Sequence, residues 1–295
     1  MPQPLCLSRR LLMTMALTVP WSVPARAHAK TGGVVSLDYG LASTMLMLGV
    51  TPAAVVARAD WQRWVVEPAM PESVADLGAT TELNLEVLAR LKPSLILTTP
   101  FLAASKPRLE TIAPVKEFDV YGDERGALPA SVAVTRDLGK LLRRDDEAAE
   151  FLAQAEATFA DCHRRIAGLA AKPVALVTFM DERHVRIYGG TGLYQGTLDR
   201  LGVTNAWQAE TNFWGFQTIA IEQMISLPEN THLMVFEPLM PPDILQRLDD
   251  NPLWLELPFV RAGRVSVLPG VLMFGMVREA MRFAELLTER LEQLA

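Results

Sequence analysis

The stretch Arg144-Asp-Asp-Glu-Ala-Ala-Glu-Phe-Leu-Ala-Gln-Ala-Glu-Ala-Thr-Phe-Ala160 is rich in strong helix formers and contains neither glycine nor proline. It predicts a helix over residues 143–170. A helix of roughly 25 residues spans about 40 Å at 1.5 Å per residue. Apolar runs alternate with helical patterns on both sides of this stretch. The sequence therefore predicts an α/β protein with two Rossmann-like lobes joined by a single long helix.

The predicted N-terminal lobe, residues 30–142, alternates strand-like and helical segments, which favours a parallel sheet covered by helices. Its predicted strands are Val34–Leu37, Val55–Ala57, Leu95–Leu97 and Glu117–Val120, and its predicted helices are Leu41–Leu48 and Leu83–Leu91. The predicted C-terminal lobe is residues 171–295. Its predicted strands are Val174–Val177, Val185–Tyr188, Leu233–Phe236 and Val265–Leu268.

Residues 1–29 have the pattern of an export signal. Arg9 and Arg10 follow a serine, an apolar stretch runs from Leu11 to Val23, and Ala27-His-Ala29 is a small-x-small cleavage site. The arginine pair resembles a twin-arginine signal with leucine in place of the usual phenylalanine, so the twin-arginine and general secretory routes both stay open. We expect cleavage after Ala29 and a periplasmic location.

The charge of the chain limits its partners. The formal net charge is −6 at pH 7, and removing residues 1–29 deletes three arginines and no acid, which shifts it to −9. An acidic surface argues against nucleic acid as a partner. Cys6 lies in the signal, which leaves Cys162 without an intramolecular disulfide partner. Because Cys6 precedes the arginine pair of the signal, it cannot carry a lipid anchor at the mature N-terminus. We expect a monomeric protein that is not tethered to the membrane.

Motifs of enzymes and metal sites are largely missing. Gly189-Gly-Thr-Gly-Leu-Tyr-Gln-Gly196 is one position away from a dinucleotide fingerprint and is better interpreted as a tight strand-to-helix turn. There is no Walker loop and no G-x-S-x-G elbow. The histidines after residue 29 lack the spacing of metal ligands. We predict that the protein is not an enzyme and has no cofactor, with a nucleotide-dependent oxidoreductase as the alternative.

The tryptophans suggest the kind of ligand. Of six tryptophans, five lie beyond Ala29, and four of those five fall in two stretches without helical or strand periodicity. Trp61 and Trp64 lie in the first lobe, and Trp207 and Trp214 in the second. Aromatic residues in one loop of each lobe predict a cleft with aromatic walls, suited to a bulky, partly apolar ligand.

Several stretches carry a resemblance to a known family. They are Ser8-Arg-Arg10, Leu48-Gly-Val-Thr-Pro52, Trp64-Val-Val-Glu-Pro68, Asn84-Leu-Glu86, Lys92-Pro-Ser94, Ile112-Ala-Pro114, Asn205-Ala-Trp-Gln-Ala-Glu-Thr-Asn-Phe-Trp-Gly215 and Pro258-Phe-Val-Arg-Ala-Gly-Arg264. They resemble the periplasmic ferric-hydroxamate siderophore-binding proteins, in the iron-siderophore and cobalamin family of ABC-transporter binding proteins. The resemblance implies a class III periplasmic binding fold that delivers a ferric siderophore to an inner-membrane ABC permease, with the iron carried by the ligand. Cobalamin, haem or another siderophore are the alternative ligands.

The resemblance also implies site residues. By this resemblance, Trp214 packs against the bound siderophore and Trp207 supports that wall of the site. Tyr39 and Trp64 match aromatic positions on the opposite wall. Phe274 matches a further aromatic position on the second lobe.

The sequence departs from the family pattern at the polar anchors. Thr80 and Leu102 stand where the family has an arginine and a tyrosine that hydrogen-bond the hydroxamate oxygens. Arg63, Arg186 and Arg278 are the candidates for a replacement cation.

Two glutamates occupy matching places in the lobes. Glu86 and Glu222 each lie near the start of a predicted helix that is followed by a breaker and a strand. A carboxylate near a helix N-terminus is favoured by the helix dipole. The resemblance further implies that each glutamate docks to an arginine of the permease, one on each permease half.

Overall fold

Two five-stranded sheets organise the protein. The computed structural model describes residues 32–122 and 125–295, all of them within one compact unit. The predicted export signal, residues 1–29, lies outside the described residues. No helix in the described ranges is both long enough and apolar enough to cross a bilayer.

The first sheet is wholly parallel, as predicted. Its strands, in the spatial order β3-β2-β1-β4-β5, are β1 (Gly32–Ser36), β2 (Ala54–Val55), β3 (Ala75–Asp76), β4 (Pro93–Thr98) and β5 (Val115–Glu117). The helices that follow are α1 (Tyr39–Met47), α2 (Trp61–Trp64), α3 (Leu85–Leu91) and α4 (Lys106–Glu110), with 3₁₀ helices at Arg58–Asp60 and Pro100–Ser105. The predicted strand at Glu117–Val120 was placed too late, because β5 ends at Glu117.

Two helices connect the sheets, α5 (Ala127–Leu142) and α6 (Asp145–Ile166). The 22 residues of α6 lie within the predicted helix. Three acidic residues occupy its first turn and basic residues its last, which complements the helix dipole. One face, which includes Phe151, Phe159 and Cys162, is buried in the main core. The lobe boundaries at residues 142 and 171 stay predictions.

The second sheet is mixed, which differs from a Rossmann-like arrangement. Its strands, in the order β10-β9-β6-β7-β8, are β6 (Val174–Phe179), β7 (His184–Tyr188), β8 (Phe216–Ala220), β9 (His232–Phe236) and β10 (Val265–Leu268). Strand β7 is antiparallel to both β6 and β8. Only residues 180–183 separate β6 from β7, and such a short connection joins antiparallel neighbours. The helices are α7 (Leu193–Leu201), α8 (Ile244–Leu248), α9 (Pro252–Leu255), α10 (Pro258–Arg261) and α11 (Val277–Leu294).

The chain between β10 and α11 packs against both sheets' helices. Leu272 belongs to a core cluster with Ala42 and Val55 of the first sheet's layer. The Thr44 hydroxyl lies 3.5 Å from the Met276 sulfur. The largest core cluster also combines residues of α1, α5, α6 and α11. The largest cluster therefore contacts both sheets, and residues 271–276, which we call the strap, lie between them.

Candidate functional site

An aromatic cluster joins the two halves of the chain. The Trp214 and Phe274 rings meet edge to face, with centroids 5.3 Å apart. Tyr121 lies 5.6 Å from Trp214 and 5.7 Å from Phe274. Phe213 and Phe216 extend the cluster on either side. We call Tyr121, Phe213, Trp214, Phe216 and Phe274 the aromatic wall.

Local backbone geometry fixes the position of Trp214. The Asn212 side-chain oxygen accepts hydrogen bonds from the backbone N–H groups of Trp214, at 3.0 Å, and Phe216, at 3.3 Å. Gly215 has φ +81°, and a Cβ there would lie 2.2 Å from the Cα of Gly192. Only glycine tolerates both conditions. The glycine-rich turn after β7 and the Trp214 loop therefore support each other, and the turn is the tight strand-to-helix connection that was predicted.

Tyr121 ties the first lobe to the strap 271–276. Its hydroxyl donates to the carbonyl oxygens of Met273 and Gly275, both at 2.9 Å. Desolvation, with negative charge nearby, raises the pKa of Tyr121 well above its usual range, so it stays a donor. Sequence reasoning missed this residue. The only signal is its place shortly after the carboxyl end of β5, where open α/β sheets commonly bind ligands.

The opposite side is built from Tyr39 and Trp64, both half-buried. The Tyr39 hydroxyl donates to the Ala57 carbonyl at 2.6 Å. Tyr39, Trp64 and Phe274 all pack against the cluster that contains Leu272. The structure thus brings three predicted site residues together, two from the first lobe and Phe274 from the second. Phe274 also contacts Trp214.

The interpretation of four tryptophans in two loops was wrong in part. Trp61 and Trp64 form the single turn of α2, and Trp61 is only 2% exposed. The Trp61 indole N–H donates to the Pro68 carbonyl at 2.8 Å. Trp207 is 9% exposed and belongs to the core of the second sheet. Its ring lies 3.3 Å from the position of a Cβ on Gly189, so it stands behind the glycine-rich turn rather than at the surface.

The two positions that depart from the family pattern are not among the residues that line the cavity beside the wall. Leu102 is 7% exposed and packs in the core of the first sheet with Leu109 and Ala113. Thr80 is half-buried in the turn between β3 and α3. The ligand-binding roles of both residues stay predictions.

The three candidate cations have different surroundings. Arg278 pairs with Glu67 at 2.6 Å and with Glu285 at 3.7 Å. The exposed Arg63 lies 5.0 Å from the Trp64 ring centroid. Arg186 lies over the Phe216 ring, 4.3 Å from its centroid.

A cavity of about 380 Å³ opens beside the aromatic wall. It is lined by Tyr121, Gly122, Gly190, Thr191, Glu210, Thr211, Asn212 and Phe213. Its lining includes residues of both halves of the chain, and it adjoins the ring of Tyr121. The wall and this cavity together form a shallow site with aromatic surfaces and few charged groups.

Comparison with known proteins gives the family of a chain with this site. The family model described as periplasmic binding protein matches residues 34–272. The chain belongs to this family. The iron(3+)-hydroxamate-binding protein FhuD of Escherichia coli K12 is 34% identical over 288 residues, which cover 96% of each chain. The prediction of the family is confirmed.

Solved structures extend the family likeness to the fold. The siderophore-binding protein FhuD of Vibrio cholerae, bound to Fe³⁺–Desferal, has a TM-score of 0.84 at 27% identity, over 89% of this chain and 98% of that one. FeuA of Bacillus subtilis, complexed with ferri-bacillibactin, has a TM-score of 0.70 at 17% identity, over 90% and 95%. The predicted class III fold of periplasmic binding proteins is confirmed. Because the family consists of substrate-binding proteins, the prediction of a binding protein and not an enzyme is also confirmed.

The two glutamates that were predicted to dock to a permease are both exposed. Glu86 lies in the first turn of α3, where its carboxylate contacts Arg90 at 2.8 Å, and its side chain is 84% exposed. Glu222 is exposed in the first turn of the 3₁₀ helix Ile221–Ser226. The predicted helix at Glu222 is thus a 3₁₀ helix. Within the described ranges no group of three or more His, Cys, Asp or Glu residues could hold a metal ion.

Two carboxyl groups flank the strap close to the site. Asp38 caps α1 and accepts a hydrogen bond from the Leu41 N–H at 2.9 Å. Desolvation raises the pKa of Asp38 to about 6. Glu279, fully buried, accepts from the Met276 N–H at 2.8 Å, and its pKa is also raised by desolvation. Two acids therefore lie at the base of the strap, and the charge of Glu279 contributes to the raised pKa of Asp38.

Proposed function

We propose that the protein binds a ferric hydroxamate siderophore in the periplasm and delivers it to an ABC importer of the inner membrane. The observation that carries the proposal is the aromatic wall, in which Tyr121 of the first lobe contacts Trp214 and Phe274 of the second. The named activities of the two FhuD relatives supply the ligand class.

The chemistry of such a ligand suits this site. A ferric trihydroxamate is bulky, neutral overall and partly apolar, with its polar oxygens concentrated around the iron. Aromatic faces bind such a surface through apolar contact and need few polar anchors. Iron arrives already chelated, so the protein needs neither a cofactor nor metal ligands of its own.

The site residues take different roles. Trp214 and Phe274 contact the chelate from the second lobe, and Tyr39 and Trp64 form the opposite wall. Trp207 supports the wall from behind, consistent with its burial. The contribution of Thr80 is a single hydroxyl group, and the contribution of Leu102 is apolar packing beneath the first lobe's surface.

Delivery uses the two exposed glutamates. Glu86 and Glu222 each present one carboxylate at the start of a helix, one on each lobe. Exposed ion pairs contribute orientation and association rate more than affinity, which suits a transient contact with a permease. Residues 1–29 direct export, and the mature protein acts as a monomer.

Uptake in cells tests the proposal. The chain is expressed in a Gram-negative strain that lacks its own hydroxamate-binding protein, and radioactive iron is supplied as Fe³⁺–Desferal. Restored iron uptake that requires an intact ABC permease supports the proposal. Expression of the folded protein in the periplasm without binding or uptake of any ferric hydroxamate would contradict it.

A further inference from the structure

The guanidinium of one arginine lies beside the aromatic wall and has no carboxylate partner within the described residues. Arg186 of β7 stacks over Phe216, with 4.3 Å between its Cζ and the ring centroid, and its Nη1 lies 3.4 Å from the Met273 sulfur. None of the ion pairs among the described residues includes Arg186. Its Nε is shielded from solvent and has no hydrogen-bond partner.

Such a cation is incompletely satisfied by its surroundings. A guanidinium has five N–H donors, and a thioether sulfur is only a weak acceptor. The Phe216 ring offsets part of the desolvation of the charge. Tyr188 is also a side-chain hydrogen-bond partner of Arg186, but it supplies a neutral oxygen. Because the Arg186 Nε has no acceptor among the described residues, an anionic oxygen brought by a ligand would complete the site.

The neighbours of Arg186 are suited to an oxygen-rich ligand. Thr178 on β6 and Thr218 on β8 lie directly opposite Arg186 in the antiparallel ladders, so the three side chains share one face of the sheet. Tyr188 lies on the same face, and its hydroxyl is 2.9 Å from that of Thr178. We call Thr178, Arg186, Tyr188 and Thr218 the strip. It contains three hydroxyl groups and one cation, and none of its four residues is acidic.

The strip is continuous with the proposed ligand site. The Phe216 ring beneath Arg186 lies 6.4 Å from Phe274, which in turn lies 5.3 Å from Trp214. A chelate packed on Trp214 and Phe274 would thus have its oxygens within reach of the Arg186 side chain.

The other two candidate arginines fit this role less well. The charge of Arg278 is already neutralised by Glu67 and Glu285. Arg63 is exposed to solvent, where a guanidinium is well hydrated and its attraction to an anion is screened. Of the three, Arg186 is the one that combines partial burial, contact with the aromatic wall and no carboxylate partner within residues 32–122 and 125–295.

We propose that Arg186 is the ligand-anchoring cation of this protein. It donates to negatively charged, iron-bound oxygens of the ferric chelate, from the second lobe and not from the first-lobe position of Thr80. This inference rests on the proposed function and names the residue that gives its site affinity for hydroxamate oxygens.

Titration of the mature protein with Fe³⁺–Desferal, followed by tryptophan fluorescence, tests the role of Arg186. We expect Arg186→Gln to weaken binding about 10- to 100-fold, since hydrogen bonds to charged groups contribute about that much. Arg186→Lys keeps the charge without the planar fork and should bind with intermediate affinity. Arg186→Met fills similar space over Phe216 without charge. We expect it to lose as much affinity for Fe³⁺–Desferal as Arg186→Gln does.

A matched control removes one cation elsewhere. Arg183→Gln changes an exposed residue in the turn before β7. It should change the dissociation constant less than about threefold, as is usual for exposed charges. Arg63→Gln, at the exposed arginine beside Trp64, tests the competing candidate cation. Thermal unfolding of every variant verifies that it is folded.

The outcomes separate this inference from the proposed function. A wild type that binds and an Arg186→Gln or Arg186→Met variant that binds equally well overturn the role of Arg186 alone. A folded wild type that binds no ferric hydroxamate overturns the proposed function and the role of Arg186 together. Loss of binding in Arg63→Gln with full binding in Arg186→Gln would transfer the role to Arg63.

Discussion

The Trp214 indole meets the Phe274 ring edge to face, with the two planes inclined at 79°. Trp214 lies in the loop before β8 and Phe274 in the strap before α11, so the contact joins distant parts of the chain. Tyr121 of the first lobe touches both rings. Contacts within the protein thus hold Trp214 in place, and an anchor that is positioned in this way lowers the entropy lost on binding.

Removing the Trp214 ring should abolish most of the affinity for a ferric hydroxamate. We expect Trp214→Ala to raise the dissociation constant about 10- to 100-fold, because truncating a central aromatic anchor typically has an effect of this size. Isothermal titration calorimetry measures it. Trp207→Phe is the control, since Trp207 is buried behind the site and its N–H has no partner. Equal losses in both variants would argue against Trp214 as the direct contact.

Tyr121→Phe should destabilise the protein more than Tyr39→Phe. The Tyr121 hydroxyl serves two carbonyl groups of the strap, whereas that of Tyr39 serves only the Ala57 carbonyl. We expect Tyr121→Phe to lower the free energy of unfolding by about 1–3 kcal/mol, and Tyr39→Phe by less. Urea denaturation of both variants provides the measurement. Equal stability of Tyr121→Phe and wild type would contradict a bracing role for this hydroxyl.

Asp38→Asn should stabilise the protein near neutral pH. The folded protein raises the pKa of Asp38 to about 6, above its value in the unfolded chain, so this carboxyl's contribution to the free energy of unfolding falls as pH rises from about 4 to 6. Asparagine caps a helix as well as aspartate does. We expect a gain of about 1–3 kcal/mol at pH 7.5 that disappears at pH 4.

The control for Asp38→Asn is Asp243→Asn. Asp243 is exposed and pairs with Arg247, which lowers the pKa of the aspartate. Its replacement should give no gain in stability at pH 7.5. Denaturation curves at pH 4 and pH 7.5 give the comparison, and a stabilisation by Asp38→Asn that is the same at both values would refute the assignment to a desolvated carboxyl.

Reversing both docking glutamates should separate delivery from binding. The double variant Glu86→Lys and Glu222→Lys should abolish iron uptake and leave the dissociation constant of the ferric chelate unchanged, because both side chains are exposed. The matched control reverses Glu110 and Glu289, which are also exposed. Loss of ligand binding in the docking variant, or uptake at the wild-type rate, would falsify the docking role.

The sequence predicted those elements whose burial leaves a strong pattern. Strands β6 and β9 are near-continuous apolar runs, as buried parallel strands usually are, and β1 and β4 each contain a shorter apolar run. Strand β8 was missed because Gln217 and Thr218 in its middle are exposed, which breaks the apolar run. A parallel arrangement was predicted for the first sheet only. In the second sheet the direction of β7 depends on its short connection to β6, which composition does not reveal.

The ligand site likewise contains residues that the sequence revealed and residues that it did not. Resemblance named Trp214, Phe274, Tyr39 and Trp64, and the structure brings Tyr39, Trp64 and Phe274 to one apolar cluster and Phe274 into contact with Trp214. Their ligand-binding roles stay predictions. The spacing of Trp61 and Trp64 is one helical turn, which is the signal that could have placed them in α2. Nothing in the sequence distinguishes Arg186 from Arg278, because the difference is the presence of Glu67 and Glu285 beside one of them.

Tryptophan fluorescence of the purified mature protein tests the central claim most directly. The titrants are Fe³⁺–Desferal and a second ferric hydroxamate, each with its iron-free form, and a ferric catecholate, cobalamin, haem and NAD. We predict saturable quenching by the ferric hydroxamates, weak or absent for the iron-free forms and lost in Trp214→Ala. A protein that is silent toward ferric hydroxamates and responds to another titrant would contradict the account.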